Sequence, residues 1–214
     1  MKTVGIIGSG AVAKALGEGF SKEGYSVILS SREPAKKLND LPEGPDMRPG
    51  TFAEAASAGE ILVLAVKGSA AEEALVLSGD GIRGKVVIDA TNPIADAPPQ
   101  DGVLQFFTGP NESLMERLQN RFPETRFVKA FNSVGNNLMY RPQMADGALP
   151  TMFYCGNDDA AKREVVDVLT RFGWEPCDMG KATAARAIEP MCMLWCIPGF
   201  LRNEWSQAFR LVKA

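Results

Sequence analysis

Short apolar runs alternate with amphipathic stretches, and a Gly-Ser-Gly break separates the first strand-like run from the first helix-like one. This pattern predicts an α/β fold: a Rossmann doubly wound parallel sheet with a small C-terminal strand-helix-strand-helix extension. Two observations carry the prediction. In Thr3-Val4-Gly5-Ile6-Ile7-Gly8-Ser9-Gly10-Ala11-Val12-Ala13 an apolar strand turns sharply and becomes helical. Further along, Glu60 to Val66 and Lys85 to Asp89 are almost continuous apolar runs, as expected for central parallel strands covered on both faces.

The first stretch is the strand-turn-helix context that a dinucleotide-binding fingerprint requires. Gly8 allows the turn, Gly10 lets a pyrophosphate approach the backbone, and Ala13 packs helix on strand. Free amides at the helix N-terminus then face the phosphates. Val12, Leu16 and Phe20 make one face of that helix, and Gly24 ends it before the strand Tyr25 to Leu29. An NAD-binding protein places a carboxylate about twenty residues past the glycines, on the ribose 2'-hydroxyl. Here Ser30, Ser31 and Arg32 occupy that place, with Lys36 one turn on, so hydroxyls and cations predict NADP.

Pro34 to Asn39 reads as a short helix, and Leu41 to Gly50, with Pro42, Pro45 and Pro49, as a loop holding at most a short strand. Thr51 is expected to cap the helix Phe52 to Ser57. Val66 and Lys67 end the next strand, where a sheet of this type touches its ligand. The fifth strand runs into Ala90-Thr91-Asn92-Pro93 and a proline-rich connection lasting to about Gly109, long enough to serve as a lid. Asn92 can donate to and accept from a carboxamide. Asn111 is expected to cap the helix that Pro123 stops, followed by the strand Arg126 to Phe131 and a polar end at Asn132, Ser133, Asn136 and Asn137.

A division near Pro150 is expected, with residues 1–149 binding the nucleotide and 150–214 forming an extension that closes its cleft. Strand Thr151 to Cys155 precedes a helix capped by Asn157, then strand Trp174 to Asp178. A last helix, Ala182 to Ile197, should kink at Pro190. It is apolar all round, which predicts burial in the cleft or in a homodimer. The tail from Phe200 reads as one more short amphipathic helix.

Composition narrows the chemistry. The 214 residues carry 23 Lys+Arg against 26 Asp+Glu, so a net charge of -3 gives no general attraction to nucleic acid or an anionic membrane. The first residues lead directly into a strand, which reads as cytoplasmic rather than exported. The absence of histidine excludes imidazole bases and relays. Cys155, Cys177, Cys192 and Cys196 form no CxxC pair, which argues against zinc, and Cys192 and Cys196 read as core packing.

With Gly8 to Ala13, Ser31-Arg32, Asp89-Ala90-Thr91-Asn92-Pro93 and Lys129-Ala130-Phe131-Asn132 in place, the chain resembles the NADPH:deazaflavin (coenzyme F420-dependent) NADP oxidoreductase family. It is similar also to the NADPH-binding domain of the STEAP metalloreductases. The resemblance extends to the late Glu189-Pro190 segment. It implies NADP on the first part, a deazaflavin in a cleft against the second, and direct hydride transfer between the rings. Carried over, Ser9 to Val12 hold the pyrophosphate, Ser31, Arg32 and Lys36 the 2'-phosphate, and Val66, Asn92 and Ala130 line the nicotinamide. A flavin, a quinone or a ferric chelate are other acceptors to weigh. Competing readings are a non-catalytic NADPH-binding sensor and a reductase of small imines or carbonyls. Pyrroline-carboxylate reductases and β-hydroxyacid dehydrogenases need a longer, all-helical C-terminal domain.

Overall fold

A computed structural model describes residues 1–37 and 46–213 of the chain. Eight strands form one sheet in the order β3-β2-β1-β4-β5-β6-β7-β8. They are β1 (Thr3–Ile7), β2 (Ser26–Ser30), β3 (Met47–Gly50), β4 (Ile61–Leu64), β5 (Val86–Asp89), β6 (Arg126–Lys129), β7 (Thr151–Gly156) and β8 (Glu175–Asp178). All neighbours are parallel except β6 and β7, which meet antiparallel over Val128↔Gly156 and Lys129↔Cys155. The direction of building reverses between β1 and β4, and in such sheets the crevice beyond the strands' carboxyl ends at that point takes the ligand. The strands after Pro150 continue the same sheet.

The helices are α1 (Ala11–Lys22), α2 (Pro34–Lys37), α3 (Phe52–Ala58), α4 (Ala71–Ser78), α5 (Leu114–Arg121), α6 (Asp159–Arg171), α7 (Ala185–Ile188) and α8 (Met191–Arg202). Alternation along the strands feeds two cores. Val4, Ile6, Val86 and Ile88 pack with Leu16 and Phe20 of α1 and Val165 and Leu169 of α6. On the other face Leu62, Leu64 and Val87 pack with α3, α4, α5 and α7. Both faces of the central strands are dry, which is why their sequences read as continuous apolar runs.

Several expectations are corrected. Ser113, not Asn111, caps α5, because Glu116 stands three residues on and completes a capping box. Asp158, not Asn157, caps α6, while the Asn157 side chain accepts from the Ala182 amide. The helix expected at 182–197 is two: α7 stops before Glu189-Pro190, and α8 runs on to Arg202 with Pro198 inside it. No helix forms in 203–213; this stretch lies beside β7, the Thr151 amide donating to the Phe209 carbonyl. Nor is α8 buried on every side, since Cys192 and Trp195 face inward while Leu194 and Leu201 are exposed. The long connection after β5 folds as a hairpin, with Ala95 and Gln105 bonded and Ile94 bridging Phe106, and its tip at Gly102 lies against Leu201. It is therefore packed rather than a free lid. Of the expected loop at 41–50, Met47–Gly50 is the edge strand β3, and residues 38–45 fall outside the described residues. Among the described residues no helix is long and apolar enough to cross a membrane.

Candidate functional site

Two cavities flank the β1–α1 turn. Gly8 has φ +146°, and a Cβ there would stand 2.2 Å from the Ala65 carbonyl, so the turn needs glycine twice over. Gly10 differs: it is the N-cap of α1, its φ is ordinary, and a Cβ would meet nothing within 4 Å. Open space thus lies where the helix amides emerge, and α1 has neither a side-chain cap nor an acidic residue in its first turn. A pyrophosphate fits that cradle, drawn by the free amides and the helix dipole.

The first cavity, about 410 Å³, opens on the β2 side of the turn. Gly8, Ser9 and Gly10 form one wall with Ser31 and Arg32, and Phe52, Lys67, Glu73 and Leu77 are among the others; Val66, expected beside the nicotinamide with Asn92, lines this cavity and not the second. Ser31 Oγ is buried and has no hydrogen-bond partner among the described residues. A buried hydroxyl left unpaired is costly, so it marks a place built for a polar ligand. Ser30 does not share this role, because its hydroxyl donates to the Ile6 carbonyl at 2.6 Å inside the sheet. Arg32 reaches across to Glu73, Nη1 to Oε1, at 3.5 Å. Lys36 lies on α2, and its side chain is outside the described residues.

The second cavity, about 380 Å³, lies past the α1 start. Val12, Ala90, Asn92, Asn132 and Gly135 face α8, which contributes Cys192, Trp195 and Cys196. Asn92 and Asn132 are locked together: Asn92 Nδ2 donates to the Asn132 carbonyl at 2.7 Å, and Asn132 Nδ2 donates to Asn92 Oδ1 and the Ile188 carbonyl. Asn132 Oδ1 is buried and has no partner among the described residues, a second polar atom held ready. Phe131, one residue before, has φ +63°, an uncommon conformation for a bulky residue and a mark of a constrained site. Ala130 is not on the wall. It is fully buried in the core, its amide donating to the Asp89 carbonyl.

Beneath this cavity is a constellation that sequence reasoning missed. Lys129 Nζ sits 2.7 Å from Asp89 Oδ2 and 3.0 Å from Glu189 Oε1, with all three side chains at 0–1% exposure. The ammonium also donates to the Thr91 carbonyl, and Glu189 accepts from the amides of Leu114 and Met115 at the start of α5. Burial works against the ammonium, but Asp89 and Glu189 outweigh it and hold its pKa above the ordinary lysine value. The triad ties β5, β6, α5 and the α7–α8 break together. It thereby fixes Ile188, whose carbonyl positions Asn132, and the start of α8.

The thiols divide. Burial pushes Cys155 up to about 12, leaving it inert. Cys192 and Cys196, one turn apart, act on each other, which raises the Cys192 thiol and lowers that of Cys196. Both lie on the cavity wall rather than in plain core. No group of three His, Cys, Asp or Glu among the described residues is arranged to hold a metal ion.

A doubly wound sheet with a glycine cradle at its switch point defines the class: a Rossmann-type α/β fold. More particularly, residues 3–93 match the family described as NADP oxidoreductase, coenzyme F420-dependent. The chain is 28% identical to a crystal structure from Arthrobacter sp. FB24, provisionally assigned as an F420-dependent NADP reductase, with a TM-score of 0.92 over 100% of both chains. It is 31% identical over 204 residues to Metalloreductase STEAP3 of Rattus norvegicus, covering 92% of this chain and 38% of that one. The F420-dependent NADP reductase of Methanocaldococcus jannaschii is 25% identical over 142 residues, 66% of this chain and 62% of that one. The chain spans only about a third of the STEAP proteins it matches. The likeness to F420-dependent NADP oxidoreductases and to STEAP proteins expected from the motifs is thus shown. A reductive aminase from Aspergillus terreus, 20% identical with a TM-score of 0.67, shares the fold.

Proposed function

We propose that the chain is an NADP-dependent oxidoreductase that binds NADPH across the two cavities and passes hydride to a planar acceptor, a deazaflavin or a flavin. The observation that carries this reading is the pairing of an open glycine cradle with the buried, unpartnered Ser31 hydroxyl beside Arg32. A 2'-phosphate can engage both groups, whereas a bare ribose hydroxyl offers Arg32 no anion beyond Glu73. When bound, the nicotinamide supplies the hydride. The chain's own residues position and exclude. Ser9 to Val12 take the pyrophosphate, and Val66 and Lys67 edge the adenosine side. Asn132 Oδ1, fixed by Asn92 and Ile188, accepts from a carboxamide amide. Trp195, anchored by its Nε1 donating to the Gln207 carbonyl at 2.7 Å, forms with Cys192 and Cys196 a wall that keeps water from the reacting rings.

Such a transfer needs alignment and dryness rather than a proton-moving side chain, which a histidine-free site supplies. The family match and the full-length likeness to the Arthrobacter structure support this reading. The test is anaerobic loss of the reduced-nicotinamide absorbance with purified protein, adding deazaflavin coenzyme, free flavin and a ferric chelate in turn. Turnover with a planar ring acceptor is expected. Tight NADPH binding without oxidation by any of them would leave a binding protein and refute the enzymatic reading.

A further inference from the structure

The cation assigned to the 2'-phosphate is already engaged. Arg32 stands two residues past β2, Glu73 stands in the first turn of α4, and the two meet at 3.5 Å across the mouth of the first cavity, each side chain more than half exposed. Ser31 Oγ lies on the same wall, buried and without a partner. One phosphate-binding group is therefore fixed and unsatisfied, while the other is held by a carboxylate that competes for the same guanidinium. We propose that Glu73 is a competing latch on Arg32: it keeps the guanidinium poised over the cavity and yields it to a ligand carrying a dianionic phosphate there, at a cost in affinity that lowers the preference for NADPH over NADH. The proposal rests on the NADPH reading and deepens it.

The physical basis is an exchange of partners. A phosphate near charge -2 offers three acceptor oxygens to a planar guanidinium, against two on a carboxylate of charge -1. NADPH thus displaces Glu73 and then feels its residual repulsion, whereas NADH brings no competing anion and leaves the ion pair closed. The carboxylate exacts a toll on NADPH alone. Because both side chains are exposed, the toll is small, about fivefold in affinity, and shrinks with added salt.

The test is Glu73→Gln, which keeps the shape and helix propensity and removes the charge. Dissociation constants for NADPH and NADH are read by titration calorimetry in four backgrounds: wild type, Glu73→Gln, Arg32→Ala and the double variant. Expected is NADPH binding about fivefold tighter in Glu73→Gln, NADH unchanged within about twofold, and a clearly smaller gain once Arg32 is alanine, where only the direct repulsion of the phosphate is left. Weaker NADPH binding in Glu73→Gln, an equal change for both nucleotides, or a gain of the same size without Arg32 would each overturn the latch. If wild type prefers NADPH and Glu73→Gln moves neither constant, the latch falls and the NADPH reading stands. If wild type binds no NADPH, both fall together.

Discussion

Replacing Lys129 by methionine keeps most of the side-chain volume and removes the positive charge between Asp89 and Glu189, which sit 2.7 and 3.0 Å from its ammonium with essentially no exposure. Two carboxylates are then left buried without their cation. Breaking a buried ion pair from one side costs about 3–5 kcal/mol, a large part of the roughly 5–15 kcal/mol that holds a domain folded. For a chain of this length that corresponds to a melting temperature lower by roughly 10 °C. The pH dependence follows from the shifts. Lys129 is held above its ordinary value, so in wild type its contribution is complete below the unfolded lysine pKa of about 10.4 and is lost only as pH rises through the higher folded value. Thermal melts of both proteins at pH 7 are the assay. A variant within about 2 °C of wild type would refute the assignment of a stabilising triad.

Three further outcomes are expected. Arg32→Glu places a charge of the phosphate's own sign beside Ser31 and should weaken NADPH by about tenfold to a hundredfold while changing NADH far less; parallel titrations read it, and equal losses would remove Arg32 from the 2'-phosphate site. Gly10→Val and Gly8→Ala should part ways. At Gly10 a side chain meets only open space, so the fold survives and nucleotide binding is lost, whereas at Gly8 it meets the Ala65 carbonyl with φ +146° and should cost about 1–3 kcal/mol of stability in a denaturant melt. Thr51→Ala removes the hydroxyl that accepts from the Glu54 amide at 3.2 Å and should destabilise by about 1 kcal/mol, seen as a small drop in denaturation midpoint with binding intact.

Local chemistry in this chain was legible and distant chemistry was not. Thr51 with Glu54 announces a capping box and forms one. The same signal, Ser113 with Glu116, lay two residues past the asparagine expected to cap α5, and the glutamate three residues on should have decided it. Ser30 and Ser31 look alike in sequence, but alternation along β2 sends one hydroxyl to the Ile6 carbonyl and leaves the other on the cavity wall. Lys129 was invisible as a site residue because its meaning depends on register. It becomes the cross-strand partner of Asp89 only when β5 and β6 align, and Glu189 arrives from sixty residues further on. The tail failed for the opposite reason: its spacing suits a helix, and bonding to Thr151 of β7 keeps it extended.

The most direct test of the two-cavity cofactor reading is a parallel equilibrium titration of the wild-type protein with NADPH and NADH at one ionic strength. Expected is one NADPH per chain, bound at least about tenfold more tightly than NADH, with the preference falling as salt rises. Equal affinity for the two nucleotides would contradict the assignment of Ser31 and Arg32, and no binding of either would contradict the cradle itself.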